Sequence, residues 1–288
     1  MQKTPLRLAH DQTLEDSGRG FLMGVLNVTP DSFSDGGRFT NVDTAVTHAA
    51  AMASQGAAII DIGAESTRPG ATPISGEEER ARLLPVIRAV AENLPDVIIS
   101  ADTYRAETAV AAVEASAHII NDVQGLQGDT EMAKVAAVTG AGLMVMHTNR
   151  IADRKALPDP IEDQREFFQQ SLQIARANGV ADAQIILDPG FGFGKDAVHN
   201  FTLMKRMHEL TGEGDLRHLW WGVGTSRKRM IGHATGRETA KRDVGTAATT
   251  ALLRANGVNI FRVHEVEMNA DALNIADATL RPESMRDV

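Results

Sequence analysis

Along this chain short apolar, β-branched runs alternate with longer stretches of helical periodicity, a pattern that predicts strand–helix units in succession. The strand runs fall at 21–28, 57–64, 97–103, 118–123, 142–147, 184–188, 219–224 and 259–264. Helices are expected at 42–55, 77–93, 105–115, 130–139, 161–178, 201–210, 244–256 and 268–280. Ser75 followed by Glu78 suits a capping box, and Gly56, Gly140, Gly179 and Gly257 stand where a helix ends on a left-handed residue. The strands are apolar on both faces, as parallel strands covered by helices must be. Repeated βα units with right-handed crossovers either close or lie open, and eight in a row favour closure. The expected fold is α/β, a single (β/α)8 TIM barrel over 21–288 with an N-terminal extension over 1–20.

Composition narrows the function classes. The 288 residues accommodate one barrel of about 250 residues with longer loops. A net charge of −9 argues against binding nucleic acid through the whole surface, so an anionic ligand must meet a local cationic patch. The absence of cysteine excludes disulfides, thiolate metal sites and cysteine nucleophiles. No apolar run approaches the roughly 20 residues needed to span a bilayer, and residues 1–20 lack the apolar segment of a signal peptide. A cytoplasmic protein with no membrane and no nucleic-acid partner is expected.

Polar residues collect where nearly every strand ends: Asn27, Asp61, Asp102, Asn121 with Asp122, His147, Asp188, Ser226-Arg227-Lys228, then Arg262 and His264. In a (β/α)8 barrel those ends converge on the rim that carries the active site. Any one of them could instead cap the next helix, but coincidence at so many positions is a poor account. Arg262 and His264, two apart on the last strand, share a face and suit a phosphate or pyrophosphate; the bland alternative is a structural arginine paired with a helix carboxylate. Arg68 adds a further anion contact. Asp102 and Asp188 end apolar strands, where an unpaired carboxylate is costly, so they need partners. The two adjacent N–H donors of an amino-pyrimidinone edge, as in a pterin or guanine, match one carboxylate; a salt bridge to Lys228 is the structural alternative.

Two motifs fail. Gly190-Phe-Gly-Phe-Gly-Lys195 ends like a P-loop, but Pro189 stands where the first Gly belongs and Asp196 replaces the Mg-binding Ser or Thr. Gly222-Val-Gly224 lacks the third Gly of a dinucleotide fingerprint, and neither a His-Glu-x-x-His nor a Gly-x-Ser-x-Gly signature occurs. Hydride transfer, zinc hydrolysis and serine hydrolysis all lose ground.

Taken in order, several segments resemble the dihydropteroate synthase family of the folate pathway from about 21 to 280. They are GVLNVTPDSFSDGG from Gly24, DIGAESTRPG from Asp61, Asp102-Thr-Tyr, Ile120-Asn-Asp-Val123, LDPGFGFGK from Leu187, Ser226-Arg-Lys and Arg262-Val-His. The resemblance implies condensation of 6-hydroxymethyl-7,8-dihydropterin pyrophosphate with p-aminobenzoate, a Mg²⁺ cofactor, a homodimer and a sulfonamide target. Carried over by position, Asp102, Asn121 and Asp188 hold the pterin edge, Lys228 lies beside the ring and Phe193 lines the substrate site. Asn27 approaches the metal, while Thr67, Arg68, Arg262 and His264 contact the pyrophosphate. Loops 29–39 and 66–72 fold over the site, bringing Phe33, Thr67, Pro69 and Ser226 near p-aminobenzoate.

Asp102, Lys228, Arg262 and His264 are the catalytic set on this reading. Arg262→Ala and Lys228→Ala are expected to lower turnover far more than they destabilise the fold. The chain departs from the family pattern after His147, at 148–158, and at Glu265, where Asp is usual. A pterin-binding methyltransferase domain or a silent pterin-binding paralogue are the alternatives; the first should lack the Thr-Pro-Asp-Ser-Phe-Ser loop, and the second should miss rim residues.

Overall fold

Eight parallel strands pair in chain order and close into a barrel, the last against the first. The structure, a computed structural model, describes residues 3–29, 38–65, 72–151 and 154–285. The barrel strands are β3 (Phe21–Asn27), β4 (Ala57–Gly63), β5 (Ile98–Asp102), β6 (Ile119–Asp122), β7 (Gly142–Met146), β8 (Ile185–Asp188), β9 (Trp220–Val223) and β10 (Ile260–Val263). Around them lie α1 (Arg38–Ser54), α2 (Gly76–Asn93), α3 (Ala106–Glu114), α4 (Met132–Thr139), α5 (Pro160–Ala177), α6 (Ala197–Lys205), α7 (His208–Thr211), α8 (Arg229–Thr235), α9 (Asp243–Ala255) and α10 (Glu267–Leu280).

The period of two along each strand separates floor from mouth. Met23, Ile59, Ile119, Met144, Ile186, Trp220 and Ile260 form one buried cluster inside the barrel. Two residues further along, at about 3.3 Å per residue, the same inward positions carry Val25, Asp61, Asn121, Met146, Asp188, Gly222 and Arg262. The interior therefore changes from oil to polar groups within one step of the pleat. Outward residues such as Ile60, Ile99, Ile120, Val145, Leu187, Trp221 and Phe261 join the larger core shared with the helices.

The segment expected as an N-terminal extension is part of the barrel floor. β1 (Leu6–Arg7) and β2 (Thr13–Leu14) pair antiparallel, and Leu6, Leu8 and Leu14 pack into the floor cluster. Trp220 Nε1 donates to Thr4 O at 2.9 Å. A Cβ at Gly142 would stand 2.6 Å from Leu8 Cδ2, so this glycine lets the plug seat.

Helix ends follow local chemistry. Ser75 Oγ accepts from Glu78 N at 3.1 Å, while the Glu78 carboxylate turns to Arg82 rather than back to the cap, leaving half of the box. Gly56, Gly140, Gly179 and Gly257 all adopt positive φ. The helix expected over 201–210 is two pieces, α6 and α7, and the seven-residue α8 is too short to show a period in sequence.

Candidate active site

Arg262, on the last strand, ties the mouth together. Its Nε lies 2.5 Å from Asp61 Oδ2 and a terminal guanidinium nitrogen lies 2.8 Å from Asp102 Oδ2. Asp61 Oδ1 also accepts from Ser100 Oγ at 2.6 Å, and Asn121 Nδ2 approaches both of its oxygens at 3.3 and 3.4 Å. Two carboxylates against one guanidinium leave a surplus negative charge in a site out of water. Burial accordingly pushes the Asp102 carboxyl up to about 7, against the lowering pull of Arg262 and with Asp61 adding to the rise. Asp102 has its salt bridge with Arg262, not with Lys228.

Asp188 is held by its own loop: Gly190 N donates to Oδ1 at 2.7 Å, which leaves Oδ2 to a ligand. Burial raises its pKa, opposed first by Lys228. Lys228 Nζ donates to Phe191 O at 2.5 Å and stands 4.7 Å from the Phe193 ring centroid. Burial lowers its pKa to about 8, Asp188 pulling the other way and Arg262 and Arg150 adding to the fall. Phe193 is bracketed by a second cation, the Arg150 guanidinium, 4.6 Å from its ring.

His264 and Ser226 form a separate corner, with Nδ1 and Oγ 2.9 Å apart and His264 N donating to the same hydroxyl at 3.2 Å. The two-residue spacing read from sequence puts Arg262 and His264 on one face, and the structure gives them different partners. Arg227 is turned away, bound through two nitrogens to Asp243 at 2.7 and 2.9 Å. Asp122 caps the turn after β6, accepting from Gln124 N and Leu126 N. His147 is fully buried beneath the β8–α6 loop instead of lining the mouth. Phe33, Thr67, Arg68 and Pro69 lie outside the described residues.

Sequence reasoning gave Asp61 no task, although its register two residues above Ile59 marks it as inward; its partners Arg262 and Ser100 are distant in the chain. It also passed over Met146, an apolar inward residue paired in register with Asp188. A cavity of about 360 Å³, lined by Glu65, Tyr104, Gln124, Gln127, Arg150 and Phe193 among others, shares Phe193 and its cation Arg150 with these groups; it stops short of the carboxylates that Arg262 spans.

Among the described residues no cluster of three or more His, Asp or Glu could cage a metal. Asn27, half-buried at the end of β3, offers one amide oxygen. A hard ion that keeps its waters and takes most of its remaining oxygens from a diphosphate fits that donor set, and an all-protein cage does not.

Closed parallel topology with carboxylates, an amide and a lysine gathered at the strand ends is the build of a barrel enzyme. Residues 23–264 match the pterin binding enzyme family. The chain is 43% identical over 283 residues to the dihydropteroate synthase of a Synechocystis strain, covering 96% of each. It is 44% identical over 260 residues to that of Bacillus subtilis, covering 90% of this chain and 88% of the relative. Xanthomonas albilineans dihydropteroate synthase, solved with 4-aminobenzoic acid, superposes with a TM-score of 0.87 at 37% identity, covering 96% of this chain and 99% of that one. The chain belongs to the dihydropteroate synthase family.

Proposed function

We propose that this chain is the folate-pathway transferase that condenses 6-hydroxymethyl-7,8-dihydropterin pyrophosphate with p-aminobenzoate, giving 7,8-dihydropteroate and pyrophosphate. The observation that carries the reading is the set of Asp188, Asp102 and Asn121 at the mouth, all inward, Asp188 and Asn121 buried and Asp102 half-buried, with Lys228 beside them. Carboxylates in that setting match the 2-amino and ring N–H donors of a pterin, whose arrival supplies the partners their burial demands. Incoming N–H donors compete with Arg262 for Asp102, so binding loosens the guanidinium toward the departing pyrophosphate. His264 is assigned to the pyrophosphate as a further donor.

The reaction breaks the C–O bond between the pterin methylene and the pyrophosphate and forms a C–N bond to the arylamine, which loses a proton. The electron-rich ring shares positive charge as the bond breaks, so no strong base is needed. What the protein supplies is alignment, cationic stabilisation of the leaving group and exclusion of water. Mg²⁺ held near Asn27 would neutralise diphosphate charge. Thr67 and Arg68 complete the anion side, and Phe33, Pro69 and Ser226 the arylamine side.

We further assign a cytoplasmic location, in line with the cysteine-free sequence. Among the described residues no helix is long and apolar enough to cross a membrane. A homodimer is assigned as well, following the family resemblance. Light scattering at micromolar concentration is expected to give twice the 30.9 kDa chain mass. Sulfonamides, as p-aminobenzoate mimics, are expected to compete with the arylamine. Mass-spectrometric detection of dihydropteroate from the two substrates tests the central assignment; its absence with folded protein refutes it.

A further inference from the structure

The loop 189–195 looks like a phosphate-binding loop and is wired the other way round. Three of its amides are spent inside the protein: Gly190 N on Asp188 Oδ1, Gly192 N on Asn200 Oδ1 at 2.8 Å and Phe193 N on Gly190 O at 3.1 Å. Gly190, Gly192 and Gly194 all take positive φ, and carbonyls along the loop meet two lysines. Phe191 O takes Lys228; Gly190 O takes Lys195 Nζ at 3.0 Å, with Phe193 O at 3.5 Å. A loop that cradles anions offers N–H groups, whereas this one offers oxygens to ammonium groups.

Lys195 reaches beyond the loop. Its Nζ lies 2.8 Å from His147 Nδ1, and His147 Nε2 lies 2.9 Å from Asp163 Oδ2 on α5. Burial lowers the Lys195 pKa to about 7; in its ammonium form the group only donates, so Nδ1 accepts and Nε2–H points at Asp163. The imidazole is therefore neutral, in keeping with burial that pushes it down to about 4. Arg154 closes the far end with two nitrogens at 3.0 Å from Asp163 Oδ1. His147 N also donates to Asp188 O at 2.8 Å, so the residue that holds Lys195 is itself fixed to the end of the strand that carries Asp188.

We infer that Lys195 is a positioning residue for the pterin half of the reaction. Anchored by His147 and Asp163, it holds the Gly190–Gly194 turn so that Asp188 Oδ2 and the Phe193 ring meet the pterin at fixed positions. Neither Lys195 nor His147 touches substrate on this account. The inference rests on the pterin-binding reading above, and the test separates the two. Wild-type enzyme that makes no dihydropteroate ends that reading whatever Lys195 does.

With active wild type, Lys195→Met removes the ammonium and keeps the aliphatic stem. The KM for the dihydropterin pyrophosphate is expected to rise about tenfold, while the KM for p-aminobenzoate and kcat stay within about threefold. A lysine that only stabilised the fold would lower the amount of active enzyme and move neither KM. A pterin KM within twofold of wild type, or both KM values rising together, overturns the inference. If Lys195→Met does not fold, Asp163→Asn decides it from outside the loop. A rise in the pterin KM alone supports the role, and an unchanged or parallel pair of KM values overturns it.

Discussion

Arg262 on β10 and Asp102 on β5, separated by 160 positions in the chain, meet at 2.8 Å across the barrel mouth. The same guanidinium holds Asp61, so one side chain bridges two inward carboxylates and leaves one negative charge uncompensated.

That geometry changes the expected outcome of Arg262→Ala. Removing the cation strands Asp61 and Asp102 in a buried setting, where breaking such a pair costs about 3 kcal/mol. The variant should lose both turnover and stability, read by denaturant unfolding beside steady-state kinetics. Unchanged stability would show that the ion pair contributes nothing to the folded state. Lys228→Ala should behave differently, with a large loss of turnover and a small change in unfolding midpoint.

The pH profile follows from two opposed groups. On the proposed reading Asp102 accepts the pterin N–H donors and must be ionised to do so, which requires pH above about 7. Lys228 must be protonated to serve as a cation, which requires pH below about 8. The profile of kcat/KM for the pterin substrate is expected to be bell-shaped and narrow, with its maximum between these values. A flat profile from pH 6 to about 9 contradicts both assignments. Asp102 also bears on stability: folded protein keeps that proton up to about 7, whereas an unfolded chain releases it near 3.8. Its contribution therefore declines as pH rises between those values.

Glycine substitutions separate backbone conformation from crowding. Gly140 and Gly190 have φ of 69° and 62°, but a Cβ at Gly140 meets nothing within 4 Å while one at Gly190 would lie 1.9 Å from His147 O. Gly140→Ala should cost about 1 kcal/mol for the left-handed backbone alone. Gly190→Ala should shift the β8–α6 loop and cost several-fold more, together with pterin affinity. Equal melting temperatures for the two variants would contradict the close approach.

The floor plug is tested by Leu6→Ala. Leu6 is fully buried in the cluster with Met23, Ile119 and Trp220, so truncation should destabilise the barrel by about 2–5 kcal/mol. A dispensable N-terminal extension would give a change near zero in the same unfolding measurement.

How much of this was legible in the sequence depended on the range of the interaction. Each barrel strand lies within one or two residues of its expected bounds, because a buried parallel strand is a short apolar run flanked by turn residues. The left-handed glycines at 56, 140, 179 and 257 were equally readable, being local requirements of a helix end. The β1–β2 hairpin was not, since two-residue strands have no period and Leu6 and Leu8 gain meaning only against the floor. Nor were the partners of Arg262: pattern placed it inward, but only closure of the barrel brings Asp61 and Asp102 to it. Lys195 was visible as the end of a failed P-loop and of a family segment, but without a task, because its partner His147 lies 48 residues away.

The most direct test is pyrophosphate release from 6-hydroxymethyl-7,8-dihydropterin pyrophosphate with Mg²⁺ present, measured with and without p-aminobenzoate. Release is expected to depend on p-aminobenzoate, to be matched by dihydropteroate formed, and to collapse in Asp188→Ala through the pterin KM. Release that ignores p-aminobenzoate, or an Asp188→Ala enzyme with wild-type kinetics, would contradict the account.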